Sequence, residues 1–239
     1  MHKVLLPVFL FLLAPLLHAA PKVIHDNDAM QVRVYQLDNG LTVYLSRNAE
    51  APRFYAEIAV RAGSTTDPSD CTGLAHYLEH LLFKGTKKMG TLDYEKEKPY
   101  LAKITQLYEQ HFKETYAAKR KAIYQEINNI SKEAAKYAVA NDIDRIYKFM
   151  GGTDVNAHTF YEETIYKVDL PSNQLERWAM IESERFSDPI FRLFHTELEA
   201  VYEEKNTSLD SGGRQPSEAV EQSLFPNHPY GRQAGVGLP

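Results

Sequence analysis

Only one cysteine, Cys71, occurs in 239 residues. A single thiol cannot build an intrachain disulfide framework, and it excludes a zinc site made of several cysteines. Basic charge is not in excess either. Lys and Arg number 27 against 32 Asp and Glu, a net charge of -5. A dedicated nucleic-acid-binding domain would carry a basic surplus, so no nucleic-acid partner is expected. There is no internal repeat and no Gly-rich phosphate loop. No apolar run reaches the roughly twenty residues of a bilayer-spanning helix. What is present, 44% hydrophobic and 25% charged residues, is enough for a core and excludes wholesale disorder.

The first twenty residues read as a targeting segment. Lys3 precedes the apolar run Val4–Leu17, and the small residues Ala19 and Ala20 follow. This is the order of a secretory signal peptide over residues 1–20. The mature chain, 21–239, is then expected to be exported, periplasmic or secreted, with no stable membrane span. An exported chain without disulfides suits a bacterial periplasm.

Past this segment the pattern is mixed. Gln31–Leu37 and Leu41–Ser46 alternate around Asp38-Asn39-Gly40, a hairpin signal. Phe54–Arg61 reads as a third strand, and a helix is predicted from Thr72 to Phe83, stopped by Gly85. Residues 92–150 contain no glycine. Apolar residues there recur at three- and four-residue spacing, as in Leu101, Ile104, Leu107, Tyr108 and Phe112. The spacing predicts two long amphipathic helices, a hairpin that could start at Pro99 and break near Asn128-Asn129. Asp154–Thr159 and Thr164–Leu170 read as paired strands. Helices should follow from Ser172 to Asp188 and from Thr196 to Leu209. Residues 210–239 are rich in Gly, Pro, Ser and Asn, and such a tail is not expected to close a site by itself. The expected fold class is α+β: a mixed, largely antiparallel sheet packed against helices, with an inserted long helical hairpin.

The chemistry sits in His76-Tyr77-Leu78-Glu79-His80. On a helix, residues four apart lie about 40° apart around the axis, so both imidazoles share one stripe and Glu79 lies beside it. Neutral imidazoles suit Zn²⁺, and two ligands call for a third from another element. Glu79 is placed to deprotonate a water that the metal activates. The helix 196–209 offers two acidic pairs, Glu197 with Glu204 and Glu199 with Glu203, and geometry alone allows either to face the metal.

The residues Gly73–Thr86 resemble the zinc-motif helix of the insulinase/pitrilysin family of metallopeptidases. Gly151-Gly152-Thr153-Asp154-Val155-Asn156-Ala157-His158-Thr159, Glu197–Glu204 and His228-Pro229-Tyr230-Gly231 resemble three further segments of that family, in the same order. The resemblance implies one Zn²⁺ per chain, held by His76, His80 and Glu204. It implies Glu79 as general base and Glu197 as the acid that orients the metal site. Asn156 and Ala157 would lie on an edge strand that holds the substrate backbone. It implies a zinc-dependent endopeptidase acting on peptides or unfolded polypeptides.

Two departures stand out. His80 and Glu204 are further apart than the family pattern, by about the length of the 92–150 segment, which reads as a harmless lineage-specific insertion at a loop. Family members also carry a second, related domain that closes over the site, so this chain is expected to need a homologous domain or subunit for efficient catalysis. The rival expectations are a non-catalytic zinc-binding subunit of a peptidase-like heteromer, and a helical adaptor built on 92–150 with structural zinc. The intact His76, Glu79 and His80 favour the peptidase, since a retired subunit has no use for the base.

Overall fold

The structure is a computed structural model that describes residues 22–23, 29–210 and 212–232. The expected signal peptide lies outside the described residues. The chain divides into two compact units, Met1–Ala51 and Pro52–Pro239.

The first unit holds a three-stranded antiparallel sheet, β1 (Lys22–Val23), β2 (Arg33–Gln36) and β3 (Thr42–Leu45). The hairpin turn falls at Asp38-Asn39-Gly40, where Gly40 N donates to Leu37 O.

The second unit is built on another antiparallel sheet, in the order β4 (Arg53–Val60), β6 (Thr164–Pro171), β5 (Thr153–Thr159). The central strand, β6, buries every second residue, Thr164, Tyr166, Val168 and Leu170. That alternation is the period of a strand with one face on a core. Ala56, Val168 and Leu170 of this face meet Ile143 and Tyr147 of a helix, with Phe54 and Trp178 packed around them.

Seven helices complete the described chain: α1 (Leu74–Leu82), α2 (Tyr94–Lys113), α3 (Ala117–Ala135), α4 (Asp142–Phe149), α5 (Leu175–Ser187), α6 (Phe194–Leu209) and α7 (Arg214–Leu224). The fold is α+β, and α2 with α3 forms the long inserted hairpin. Three details of the 92–150 segment differ from the sequence reading. The first helix starts at Tyr94, capped by Asp93, whose carboxylate accepts from Lys96 N at 3.2 Å. Pro99 therefore lies inside α2, where it removes one backbone hydrogen bond. The hairpin turns at Glu114-Thr115-Tyr116, where Glu114 Oε1 accepts from the amides of Thr115 and Tyr116. Asn128 and Asn129 instead continue α3 beside the fully buried Ile127. The segment ends in a third helix, α4, entered through Asn141 in the left-handed region at φ 54°.

Within the Gly-, Pro- and Ser-rich tail, residues 214–224 form the helix α7. Pro216 is its third residue, where the missing amide would have had no partner in any case.

Candidate metal centre

The helix α1 begins later than its motif suggests, at Leu74, because Gly73 turns the chain at φ 89°. A side chain there would be strained, which is the reason for glycine. The free amides of the first turn are satisfied from the preceding loop: Asp67 accepts from Gly73 N at 2.6 Å and Ala75 N at 2.9 Å. A carboxylate is also favoured at this end of a helix by the backbone dipoles. The loop is fixed by close approach to the β5–β6 turn. A Cβ on Gly63 would lie 2.2 Å from the Phe160 carbonyl oxygen, so no larger residue fits.

On α1, Tyr77, Glu79, Leu81 and Leu82 are buried. Tyr77 and Leu81 pack on Val201 and Phe194 of α6, which brings the two helices side by side. The contact sets the acids of α6 against the histidines of α1. His76 Nε2 and His80 Nε2 face each other at 3.3 Å. Glu204 Oε2 lies 3.4 Å from the first and 3.5 Å from the second. The other acid of that stripe, Glu197, lies 3.5 Å from His80 Nδ1 and 2.6 Å from Lys84 Nζ. The alternative pair goes elsewhere: Glu199 lies 3.7 Å from His195, and Glu203 is exposed.

These distances test whether the residues fit a zinc ion. Tetrahedral bonds of about 2.0–2.2 Å put neighbouring donors about 3.3–3.5 Å apart. The three donor–donor distances match that spacing. Two imidazoles and one carboxylate are also the donor chemistry of an open zinc site, and the three residues form a group that could hold a metal ion. Glu197 lies on the far nitrogen of His80, where a carboxylate that accepts the ring N–H would leave the other nitrogen free for a metal. His76 Nδ1, by contrast, is buried without a hydrogen-bond partner.

Electrostatics follow from this crowding. Burial, then the neighbouring His80, lowers the pKa of His76. Hydrogen bonding to Glu197 raises that of His80. Glu79 is raised by burial, against the hydrogen bond from Thr159. For Glu197, burial pushes upward, but hydrogen bonds from His80 and Lys84 prevail and hold it below the usual carboxylate range.

The α1 motif, the edge strand β5, Glu204 and α7 line one cleft of about 1000 Å³. Asn156 and Ala157 both line it, and the Ala157 amide donates to Asn156 Oδ1 at 2.9 Å. Tyr230, in the His-Pro-Tyr-Gly segment, donates to Glu162 at 3.0 Å and packs its ring on Tyr161 at the cleft rim. Several cleft residues carried no assignment from sequence. Thr159 Oγ1 donates to Glu79 Oε2 at 2.6 Å, and His158 lines the cleft beside it. Lys84 and the α7 residues Ser217, Glu218 and Glu221 line it too. Strand alternation marks Thr159 as sharing a face with Ala157, which was a usable signal. Nothing in a Gly-Pro-Ser segment signalled α7.

Parts of this chain are similar to known proteins. The family model for insulinase, peptidase family M16, matches residues 42–102, which contain the α1 motif. Protease 3 of Escherichia coli strain K12 is 32% identical over 118 residues, 49% of this chain and 12% of that protein. The human insulin-degrading enzyme is 38% identical over 73 residues, 30% of this chain and 7% of that one. The matched part is thus a small fraction of either relative. A crystal structure of pitrilysin superimposes on 91% of this chain and 19% of its own, with a TM-score of 0.61 and 21% identity. The family-model match includes His76, Glu79 and His80. Over residues 42–102 the chain is thus similar to the insulinase peptidase family, and its fold is similar to that of pitrilysin.

Proposed function

We propose that this chain is the metal-binding, catalytic portion of an exported zinc endopeptidase that hydrolyses peptide bonds in peptides or unfolded polypeptides. One Zn²⁺ per chain would be held by His76, His80 and Glu204. When bound, the ion supplies Lewis acidity, which polarises a carbonyl and lowers the pKa of a water towards about 7. The observation that carries this reading is the spacing of the three donor atoms, 3.3, 3.4 and 3.5 Å.

The chain's own groups then do the proton work. Glu79 sits in the cleft beside the imidazoles, and burial raises its pKa, which brings it nearer to the range of a carboxylate that both takes and returns a proton. Its carboxylate accepts the proton of the attacking water and hands it to the leaving amine. Thr159 holds one carboxylate oxygen and leaves the other for that transfer. Glu197 orients His80 while Lys84 balances its charge. A substrate in extended form would lie along β5, exchanging the Asn156 side chain for its own carbonyl on the Ala157 amide. The expected relation to a second homologous domain or subunit stands within this reading, as does export through residues 1–20.

The test is metal analysis with a peptide-cleavage assay on the wild-type chain and on Glu79→Gln. The amide is nearly isosteric, so the variant should keep its zinc and lose roughly 10²–10⁴-fold in kcat. A chain that takes up no Zn²⁺ on reconstitution, or a Glu79→Gln variant with native turnover, would overturn the reading. Zinc uptake without hydrolysis, even beside a second domain, would favour the non-catalytic subunit instead.

A further inference from the structure

The hairpin α2–α3 meets the start of α6, the helix that carries Glu197 and Glu204. Phe194 and His195 are the first two residues of α6. The Phe194 ring is held between Tyr77 of α1 and Tyr108 of α2, with ring centroids 5.1 and 5.3 Å away. The Tyr77 hydroxyl also donates to the Phe194 carbonyl oxygen. His195 is buried, and its Nδ1 is hydrogen-bonded to the Tyr108 hydroxyl at 2.8 Å. The Tyr124 ring of α3 packs edge-on against His195 at 5.0 Å. Both helices of the hairpin therefore grip one residue of the α6 entry.

That entry needs gripping. Leu193, which precedes α6, adopts φ 55°, and no side chain caps the helix. Non-glycine residues hold such a conformation only where their surroundings impose it. One residue earlier, the buried Arg192 is paired with Glu97 of α2 at 2.9 Å. It also donates to the carbonyls of Lys84, Thr86 and Met89, in the loop that follows α1. The hairpin thus reaches the start of α6 and the end of the motif helix through the same short segment.

Geometry gives the consequence. A helix is a stiff rod rising about 1.5 Å per residue. Val201 pins the middle of α6 to α1. A rod pinned at one point can still tilt, and the contacts at 194–195, from Tyr77 of α1 and from Tyr108 and Tyr124 of the hairpin, remove that freedom. Glu197 and Glu204 lie on either side of Val201, so a tilt about it would displace the two in opposite directions and change both distances to the imidazoles. Donor atoms that must meet one ion tolerate displacements of only a few tenths of an ångström.

We propose that the inserted hairpin is a working part of the metal centre. Tyr108, acting through His195, is a positioning residue that sets the placement of α6 and with it the reach of Glu197 and Glu204. The metal side of this proposal rests on the zinc reading given above; the placement of α6 does not.

The experiment uses the full chain and the variant Tyr108→Phe, which removes the hydroxyl and keeps the ring. Three quantities are read: hydrogen exchange along α6 in the metal-free chain, Zn²⁺ affinity from competition with a chelator, and the absorption spectrum of the Co²⁺-loaded chain. Exchange in the first turns of α6 should rise several-fold. Zn²⁺ affinity should fall about three- to tenfold, the range for one lost hydrogen bond, and the Co²⁺ bands should shift. If Tyr108→Phe does not fold, Tyr124→Leu, which removes the ring on His195, is read the same way. Phe112→Ser, at the exposed hairpin tip, should leave all three quantities unchanged. Unchanged exchange and affinity in the Tyr108 variant, with only a lower melting temperature, would overturn the proposal, as would an equal effect from Phe112→Ser. Failure of the unmodified chain to bind Zn²⁺ would sink the metal reading, while the exchange result would still decide whether the hairpin holds α6.

Discussion

Thr159 donates its hydroxyl hydrogen to Glu79 Oε2 across 2.6 Å, joining the edge strand of the sheet to the base of the motif helix. The two residues are 80 positions apart, and their meeting depends on the sheet. Thr159 pairs with Thr164 on β6, whose own hydroxyl donates to the Ala62 carbonyl oxygen. A buried carboxylate with one oxygen held in this way has a fixed plane, and its other oxygen has a defined direction.

Replacing Thr159 by Val keeps the shape and removes the donor. The carboxylate of Glu79 is then free to rotate, and one of its buried oxygens loses its partner. We expect kcat to fall about tenfold, from the value of a hydrogen bond to a charged group, with zinc content unchanged. Parallel measurement of turnover and metal content checks this. Loss of zinc in Thr159→Val would mean that Thr159 supports the helix instead of the base.

Glu204 and Glu203 are neighbours in sequence, and both are exposed, but Glu204 Oε2 lies within 3.5 Å of both imidazoles. Glu204→Gln should weaken Zn²⁺ binding by at least about tenfold, the scale on which even an outer partner of a metal ligand matters. Glu203→Gln should leave it unchanged. Chelator competition on both variants checks the choice, and the reverse order would reassign the third ligand.

The motif helix and the acidic pair were legible because their chemistry repeats with the helix period. His76 and His80, four apart, fall on one stripe, and so do Glu197 and Glu204, seven apart. The choice between Glu197/Glu204 and Glu199/Glu203 was not legible from period alone. It depends on which face of α6 carries Val201 onto Tyr77 and Leu81, a tertiary contact. Strands β4, β5 and β6 were legible from alternation, but the link from Thr159 to Glu79 was not, since no local pattern encodes a contact across the sheet. The helical hairpin was read with its turn in the wrong place. Asn128-Asn129 carries turn-prone side chains, but tertiary burial of Ile127 keeps α3 continuous there. The actual turn uses Glu114, whose carboxylate binds two amides, a role that composition does not announce. Helix α7 was hidden by Gly212, Gly213 and Pro216, which act here as an entry to a helix instead of as breakers.

Asp67 gives a prediction about stability. Its buried carboxylate accepts from the amides of Gly73 and Ala75 and so completes the first turn of α1. Asp67→Ala would leave those two donors without their partner. The cost should be about 1–2 kcal/mol, the upper range for losing a helix cap. Denaturant unfolding measures it directly. Because α1 carries both histidines, zinc affinity should fall together with stability. A variant as stable as the parent would show that water replaces the cap.

The last prediction concerns how far this unit acts alone. Exposure of the three donor side chains is uneven: 13% for His76 and 20% for His80, but 52% for Glu204. The histidines are shielded by α1 and its neighbours, while Glu204 faces water across the cleft. Electrostatic stabilisation of a transition state weakens when water shares the site, and an extended substrate held on one side only is poorly oriented. The family resemblance implies a second, related domain on that open side. The chain should therefore bind Zn²⁺ yet cleave peptides slowly, and a homologous second domain supplied in trans or by fusion should raise kcat/KM by orders of magnitude. Orientation and exclusion of water together can account for an effect of that size. A peptide-cleavage assay with and without the added domain decides the matter. Full activity from residues 21–239 as a monomer would show that the walls already present, β5 on one side and α7 with Ser217, Glu218 and Glu221 on the other, are enough to hold and orient a substrate.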